Sequence, residues 1–334
     1  MVLRARSRPT PLGDALSRVV SALVVGLLVV GCAGAPGPTP SGSSDGSGRS
    51  YPGWPIGPVS GLAVVPTIVN APGELAVGPS RFLFSLLDPR SGAPLADPSI
   101  TARLEFFDLA KDPAHPATTT QGTFVWAIQG QVGLYHAAVD LPASGDWGVQ
   151  LDLRGGKAGA DTTVRLQFDV AAHSSTPAVG EAVPAIDTPT ATTSDAIRRI
   201  STDPDPDPAF YAVSESQALA AHTPFVLVIA TPKFCTSRIC GPTLDHVKAL
   251  APAYLATVDF IHVEPYVLRW TGTDLQPVLD AQGDLQLLPA LAPLHLLSEP
   301  WVFVVGADGR LVAKFEGAFG DDELRAALAR AGGG

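Results

Sequence analysis

Phe225-Val226-Leu227-Val228-Ile229-Ala230 leads through Thr231-Pro232-Lys233 into Phe234-Cys235-Thr236-Ser237-Arg238-Ile239-Cys240-Gly241-Pro242. An unbroken apolar run of this length predicts a strand buried on both faces, the central strand of a sheet covered by helices. Pro242 suits the first turn of a helix, whose Leu244, Val247 and Leu250-Ala251 then share one face. The two cysteines therefore lie where a strand hands over to a helix. Residues five apart in one helix are about 7.5 Å apart along its axis, too far for a disulfide, so Cys235 belongs in the loop and Cys240 at or just before the helix start. There both thiols sit near the positive end of a helix, with Lys233 and Arg238 close in sequence, which lowers a thiol pKa.

Working outward, Ser214-Glu215-Ser216-Gln217 is a capping-box pattern opening a short helix through Ala221. Val258–Val263 reads as the next strand. Trp301–Val305 and Leu311–Phe315 flank the turn Ala307-Asp308-Gly309-Arg310 and read as a hairpin, and Asp321-Asp322-Glu323 places acids at the start of a last helix.

Upstream the period changes. Val164, Leu166, Phe168 and Val170 alternate with polar neighbours, and the same period of two spaces Phe82, Phe84 and Leu86, and Leu104 and Phe106 around Glu105. Leu62–Val69, Thr123–Ile128, Leu134–Leu141 and Trp147–Leu153 are further strands, separated by turns such as Asp88-Pro89-Arg90-Ser91-Gly92 and Ser144-Gly145-Asp146. Seven short strands in this space predict an all-β immunoglobulin-like sandwich. The fold class expected is thus two modules, an all-β sandwich followed by an α/β unit.

At the N-terminus, Arg4, Arg6, Arg8 and Arg18 precede the apolar run Val19–Val30, a secretory signal too short for a comfortable membrane span. Residues 33–58 are rich in Gly, Pro and Ser and predict a flexible tether. A second Pro/Thr-rich stretch ends in Asp203-Pro204-Asp205-Pro206-Asp207-Pro208 and predicts a linker. The expected organisation is a signal peptide (1–31), a tether (32–58), the sandwich (59–171), a linker (172–208) and the α/β module (209–332). The net charge of −10, with no Lys/Arg cluster after the signal, argues against nucleic acid or anionic headgroups as partners.

Three resemblances add to this reading. Val29-Val30-Gly31-Cys32 resembles the bacterial lipobox, which implies cleavage before Cys32, diacylglyceryl modification of its thiol and anchorage on the extracytoplasmic face of the membrane. Gly133–Pro142 followed by Gly145-Asp146-Trp147 is similar to a hairpin of YtkA-like extracytoplasmic immunoglobulin-type modules, some of which occur in copper-handling proteins. Read simply, Tyr135 and Trp147 fill the sandwich core. With Met1 the sole methionine, a Met-rich copper(I) site in this module is excluded, and His115, His136 and His173 are dispersed.

Residues 209–332 resemble the thioredoxin-like superfamily in the aromatic-Cys pair Phe234-Cys235 after the central strand, in Glu299-Pro300-Trp301 entering a hairpin strand, and in the spacing to Asp308-Gly309. The resemblance implies a cis peptide at Pro300, beside the thiols, and thiol–disulfide exchange with exported protein thiols or disulfides. Cys235 would attack and Cys240 resolve, with no cofactor. Two departures stand out. Four residues separate the cysteines where the family has two, and Cys240-Gly241-Pro242-Thr243 offers another register with Cys240 as nucleophile. The family's buried acid on the central strand is replaced, at about Ile229, by an aliphatic residue. Two other functions stay open. A copper chaperone resembling the Sco type would use Cys235, Cys240 and His295, although His295 also reads as a surface-loop histidine, and His246 and His262 as helix-surface and strand residues. Alternatively, the module is a non-catalytic scaffold with a stapling disulfide, a weak use of two cysteines because closing so short a loop stabilises little. The insert 265–299 has no counterpart in these families.

Overall fold

The computed structural model describes residues 49–57, 59, 61–156 and 161–332. The expected signal, the lipobox Cys32 and most of the tether lie outside them. The described residues fall within one compact unit and are mostly β.

Seven strands come first: β1 (Val65–Ile68), β2 (Gly78–Leu87), β3 (Ile100–Asp108), β4 (Thr118–Ile128), β5 (Val132–Leu141), β6 (Gly145–Gly155) and β7 (Thr162–Val170). They run in the order β1-β2-β5-β4-β3-β6-β7, all antiparallel. The first part of β4 pairs with β3 and its second part with β5, so this strand passes from one layer to the other. Gly122 stands at the crossing. A Cβ there would lie 3.2–3.3 Å from Ala102, Leu104 and Phe84, which is why the position takes no side chain. The result is two layers, β1-β2-β5-β4 and β3-β6-β7, the strand grouping of an immunoglobulin-like sandwich.

Alternation supplies the core: Phe82 of β2 meets Phe106 of β3 and Phe168 of β7 across the layers at 5.2 and 5.5 Å between ring centroids. Tyr135 and Trp147 are buried in this core, as expected, and each satisfies its polar atom on backbone. The Tyr135 hydroxyl donates to the carbonyls of Asp97 and Ile100, and the Trp147 indole to that of Ala143. The end of the expected tether is seated too: Trp54 packs edge-on against Phe107 and is 3% exposed.

The remaining strands are β8 (Phe225–Ile229), β9 (Asp259–Val263), β10 (Leu268–Trp270), β11 (Leu275–Pro277), β12 (Trp301–Val305) and β13 (Leu311–Glu316). The helices are α1 (Ser194–Ile197), α2 (Glu215–Ala220), α3 (Cys240–Leu250) and α4 (Asp321–Ala331). A four-stranded sheet has the order β13-β12-β8-β9, with β8 parallel to β9 and the other pairs antiparallel. Every residue of β8 and β12 is buried, because both faces of the sheet are covered. On one face Val226 and Val228 pack with Leu244 and Val247 of α3 and Leu324 and Leu328 of α4. On the other, Leu227 and Phe303 pack with Ala218 of α2 and with Leu291 and Leu294 of a 3-10 turn.

The segment 172–208 is packed rather than free, which differs from the linker expected of its composition. Ile186, Ala191 and Ile197 are buried against the sheet module, and Asp203 accepts an ion pair from Lys248 at 2.8 Å. Its few apolar residues, spaced far apart, are enough to seat it because the prolines already restrict the chain that has to be ordered.

The sandwich docks on the edge of this sheet. Arg81 forks onto Glu323 at 2.8 and 3.0 Å and reaches the carbonyl of Ala318 at 2.8 Å. Lys314 of β13 pairs with buried Glu74 at 2.8 Å. Glu316 accepts the Ala71 N–H through both oxygens, at 2.9 and 3.1 Å. Between these polar ties lies an apolar contact in which Val125, Ala127 and Leu134 of the sandwich meet Ala318 and Ile239. Ile239 directly precedes Cys240, so the docked sandwich braces the cysteine loop itself.

Candidate functional site

Cys235 and Cys240 form a disulfide, with Cα atoms 6.0 Å apart. The handover expected from the sequence is present. β8 ends at Ile229, the loop carries Cys235, and α3 begins with Cys240 as its first residue, Pro242 falling in the first turn. Ile239 at the N-cap offers no side-chain acceptor, so the first-turn N–H groups of α3 are left without a side-chain cap. Within the loop Arg238 takes a left-handed conformation at φ 62°, which turns the chain into the helix. Ser237 Oγ lies 3.2 Å from the Cys235 sulfur. Taken as whole residues, Cys240 is fully buried and Cys235 half-buried.

Hydrogen bonds fix the loop from behind. His262 of β9 donates from Nε2 to the Ala230 carbonyl at 3.0 Å, which leaves Nδ1 to accept from the Tyr211 hydroxyl at 2.9 Å. Burial lowers the His262 pKa, the nearby Glu264 carboxylate opposing the shift, in keeping with a neutral ring in this role. Thr202 accepts the Lys233 N–H at 3.2 Å while donating to Glu264 at 2.6 Å, so the seated segment before β8 also holds the loop. His262 is thus a buried structural hinge-pin. His246, on α3, pairs with Asp321 at 2.5 Å and stacks on Phe319.

Lys233 differs from expectation. Its ammonium is paired with Asp274 at the head of β11 rather than left to the thiols.

The peptide between Glu299 and Pro300 is cis, as expected, and leads directly into β12, whose Trp301 pairs with Ile229 at the end of β8. This register brings the residues before β12 to the cysteine loop. The Glu299 carboxylate and the two sulfurs lie within 4.8 Å of one another. Tyr266 donates to Glu299 Oε2 at 2.8 Å. Burial pushes the Glu299 carboxyl above the usual range, the Tyr266 hydrogen bond drawing it partly back, and burial likewise pushes the Tyr266 phenol up. Sequence reasoning missed Glu299. The signal was the acid immediately before the proline already placed beside the thiols.

His295 caps the 3-10 turn Pro289–Leu294 in a left-handed conformation and is exposed. Among the described residues, the group of metal-binding side chains that gathers at the sulfurs contains Glu299 and not His295. A carboxylate is a harder donor than the imidazole expected for copper. Alongside α3, a cleft of about 410 Å³ is walled by Phe124 and Trp126 of β4, Pro242 and His246 of α3, and Phe319 and Asp321.

No family model matches the chain, and no curated protein matches it. About a third of the chain aligns with each of three solved structures. They are a DUF4426 family protein from Pseudomonas aeruginosa PAO1 (9% identity, 33% of this chain and 91% of that one, TM-score 0.23), the Lin-41 filamin domain (16%, 35% and 99%, 0.20) and a lipoprotein from Bacteroides thetaiotaomicron (12%, 34% and 84%, 0.18). These likenesses are too slight to carry function. No helix among the described residues is long and apolar enough to cross a membrane.

Proposed function

We propose that the chain is a lipid-anchored, extracytoplasmic thiol–disulfide oxidoreductase whose residues 209–332 form a thioredoxin-like module acting through Cys235 and Cys240. One observation carries this reading. The disulfide sits at the junction of a buried strand and a helix N-terminus, pairs a half-buried cysteine with a fully buried one, and has the cis Glu299-Pro300 peptide beside it. Cys235, the less buried residue of the pair, is the one a substrate would meet first. As a thiolate it attacks a substrate disulfide, and Cys240 then displaces the substrate by closing the Cys235–Cys240 bond. First-turn N–H groups of α3 favour the anionic form of a sulfur placed there. Exported protein thiols are the substrate class, and anchorage through Cys32 would hold the catalyst at the membrane that they cross.

The full-length chain, reduced and mixed with a disulfide-containing peptide, is expected to release peptide thiol. Cys235→Ala should abolish release, and Cys240→Ala should trap a peptide mixed disulfide on Cys235. Wild-type protein that exchanges no faster than free dithiothreitol would leave the disulfide as a staple and sink the reading.

A further inference from the structure

Resolution of the mixed disulfide poses a proton problem. Cys240 must attack as a thiolate, yet it is fully buried, and the central strand beneath it reads Phe-Val-Leu-Val-Ile with no acid. The neighbouring strand supplies one at its entry. Glu299 lies within 4.8 Å of both sulfurs, a gap that one water or a rotation of the carboxyl spans. Its orientation is set from two sides, by the adjoining Pro300 on the backbone and by the Tyr266 hydroxyl at 2.8 Å.

Charged groups on the surrounding elements are engaged elsewhere. Lys233 is held by Asp274, Glu264 by Thr202, Glu316 by the Ala71 N–H and the Ser298 hydroxyl, and Lys314 by Glu74. Arg238, on the cysteine loop itself, is exposed, and Tyr266 is the hydrogen-bond partner of Glu299.

We propose that Glu299 takes the proton from the Cys240 thiol as that sulfur attacks the mixed disulfide, and hands it to the departing substrate thiolate. This rests on the oxidoreductase reading. The atoms balance as follows. Cys235 thiolate attacks one sulfur of the substrate disulfide, and the other leaves as a thiolate that takes a proton from solvent. Cys240 then gives its proton to the Glu299 carboxylate while its sulfur bonds to Cys235. The bond from Cys235 to the substrate breaks, and the second substrate thiolate receives the proton from Glu299. The substrate disulfide is reduced by two electrons and the cysteine pair is oxidised. A carboxyl whose pKa is raised by burial is better matched to a thiol than an ordinary one.

The test is single-turnover exchange of the reduced full-length chain with a disulfide peptide, resolving formation of the mixed disulfide from its decay, between pH 5 and 9. Glu299→Gln is expected to slow decay at least about 100-fold, the low end for loss of a general base, while formation is not slowed. The rise of the decay rate with pH that follows ionisation of Glu299 should vanish with it. Tyr266→Phe removes the hydrogen bond that favours the carboxylate, so that limb should move to higher pH, and Glu299→Asp should keep a limb at reduced rate. A second readout needs no turnover: in a Cys235→Ser background, iodoacetamide should reveal a lower Cys240 pKa when Glu299→Gln removes the neighbouring negative charge. Wild-type exchange with an unchanged decay limb in both Glu299→Gln and Tyr266→Phe overturns the role of Glu299 alone. Absence of wild-type exchange overturns the oxidoreductase reading and this role together.

Discussion

Glu316 offers a quantitative test of how the two modules are joined. It is 9% exposed on β13, accepts the Ala71 N–H through both oxygens, and accepts the Ser298 hydroxyl at 2.9 Å. Burial pushes its pKa from 4.5 to about 7, and the Ala71 and Ser298 hydrogen bonds recover only part of that shift. Between those two pH values the folded chain holds a proton that the unfolded chain has released, so stability falls as pH rises through this window. The favourable contribution is fully present below pH 4.5 and lost above pH 7, and at 1.36 kcal/mol per pKa unit it amounts to about 3 kcal/mol. Glu316→Gln keeps an acceptor for the Ala71 N–H and cannot ionise. Urea unfolding at pH 4.5 and pH 8, with the disulfide intact, should therefore show wild type losing about 3 kcal/mol more than the variant across the interval. Glu215, also raised to about 7 by burial, is present in both proteins and cancels in the comparison. Equal pH dependence in the two proteins would mean that Glu316 is solvated and that the modules do not close over it.

Two further outcomes follow from the same geometry. Arg81→Ala removes the forked pair with Glu323 and a bond to the Ala318 carbonyl, leaving a largely buried carboxylate, and should cost about 2–4 kcal/mol in unfolding free energy. Arg81→Lys should recover only part of this, because an ammonium cannot reproduce the fork; a loss under 0.5 kcal/mol, roughly the surface-pair value, would contradict the docking. If Cys32 carries the lipid, the mature protein should partition into detergent and incorporate labelled palmitate, and Cys32→Ser should do neither; equal membrane retention of Cys32→Ser would remove the anchor.

The parts of this chain that could be read in advance are those where local pattern and environment agree. The apolar run at 225–230, the proline-led helix and the hairpin across 301–316 lie close to their expected positions because each is decided by periodicity and turn residues within a few positions. The sandwich strands were found, the first drawn long (Leu62–Val69 against Val65–Ile68) and the others drawn short. β4 begins at Thr118 rather than Thr123, since its first half is polar and half-exposed and is held by pairing to β3, which no local pattern records. What escaped depends on distant partners. Glu299 draws its meaning from Tyr266, in an insert without periodicity, and from a register that ties Trp301 to Ile229. The seating of 172–208 was hidden by a composition that reads as linker, although Ile186, Ala191 and Ile197 each find a place in the core. Lys233 looked like a partner for the thiols until Asp274, 41 residues away, was found to hold it.

The central claim is that the Cys235–Cys240 bond opens and closes in use. Equilibrating the full-length chain in glutathione and dithiothreitol buffers of graded potential, and counting alkylated thiols by mass, measures this directly. The account predicts a single two-electron transition with a midpoint between about −120 and −270 mV, the span of exchange catalysts. A disulfide that stays closed below about −300 mV, as structural ones do, would contradict it.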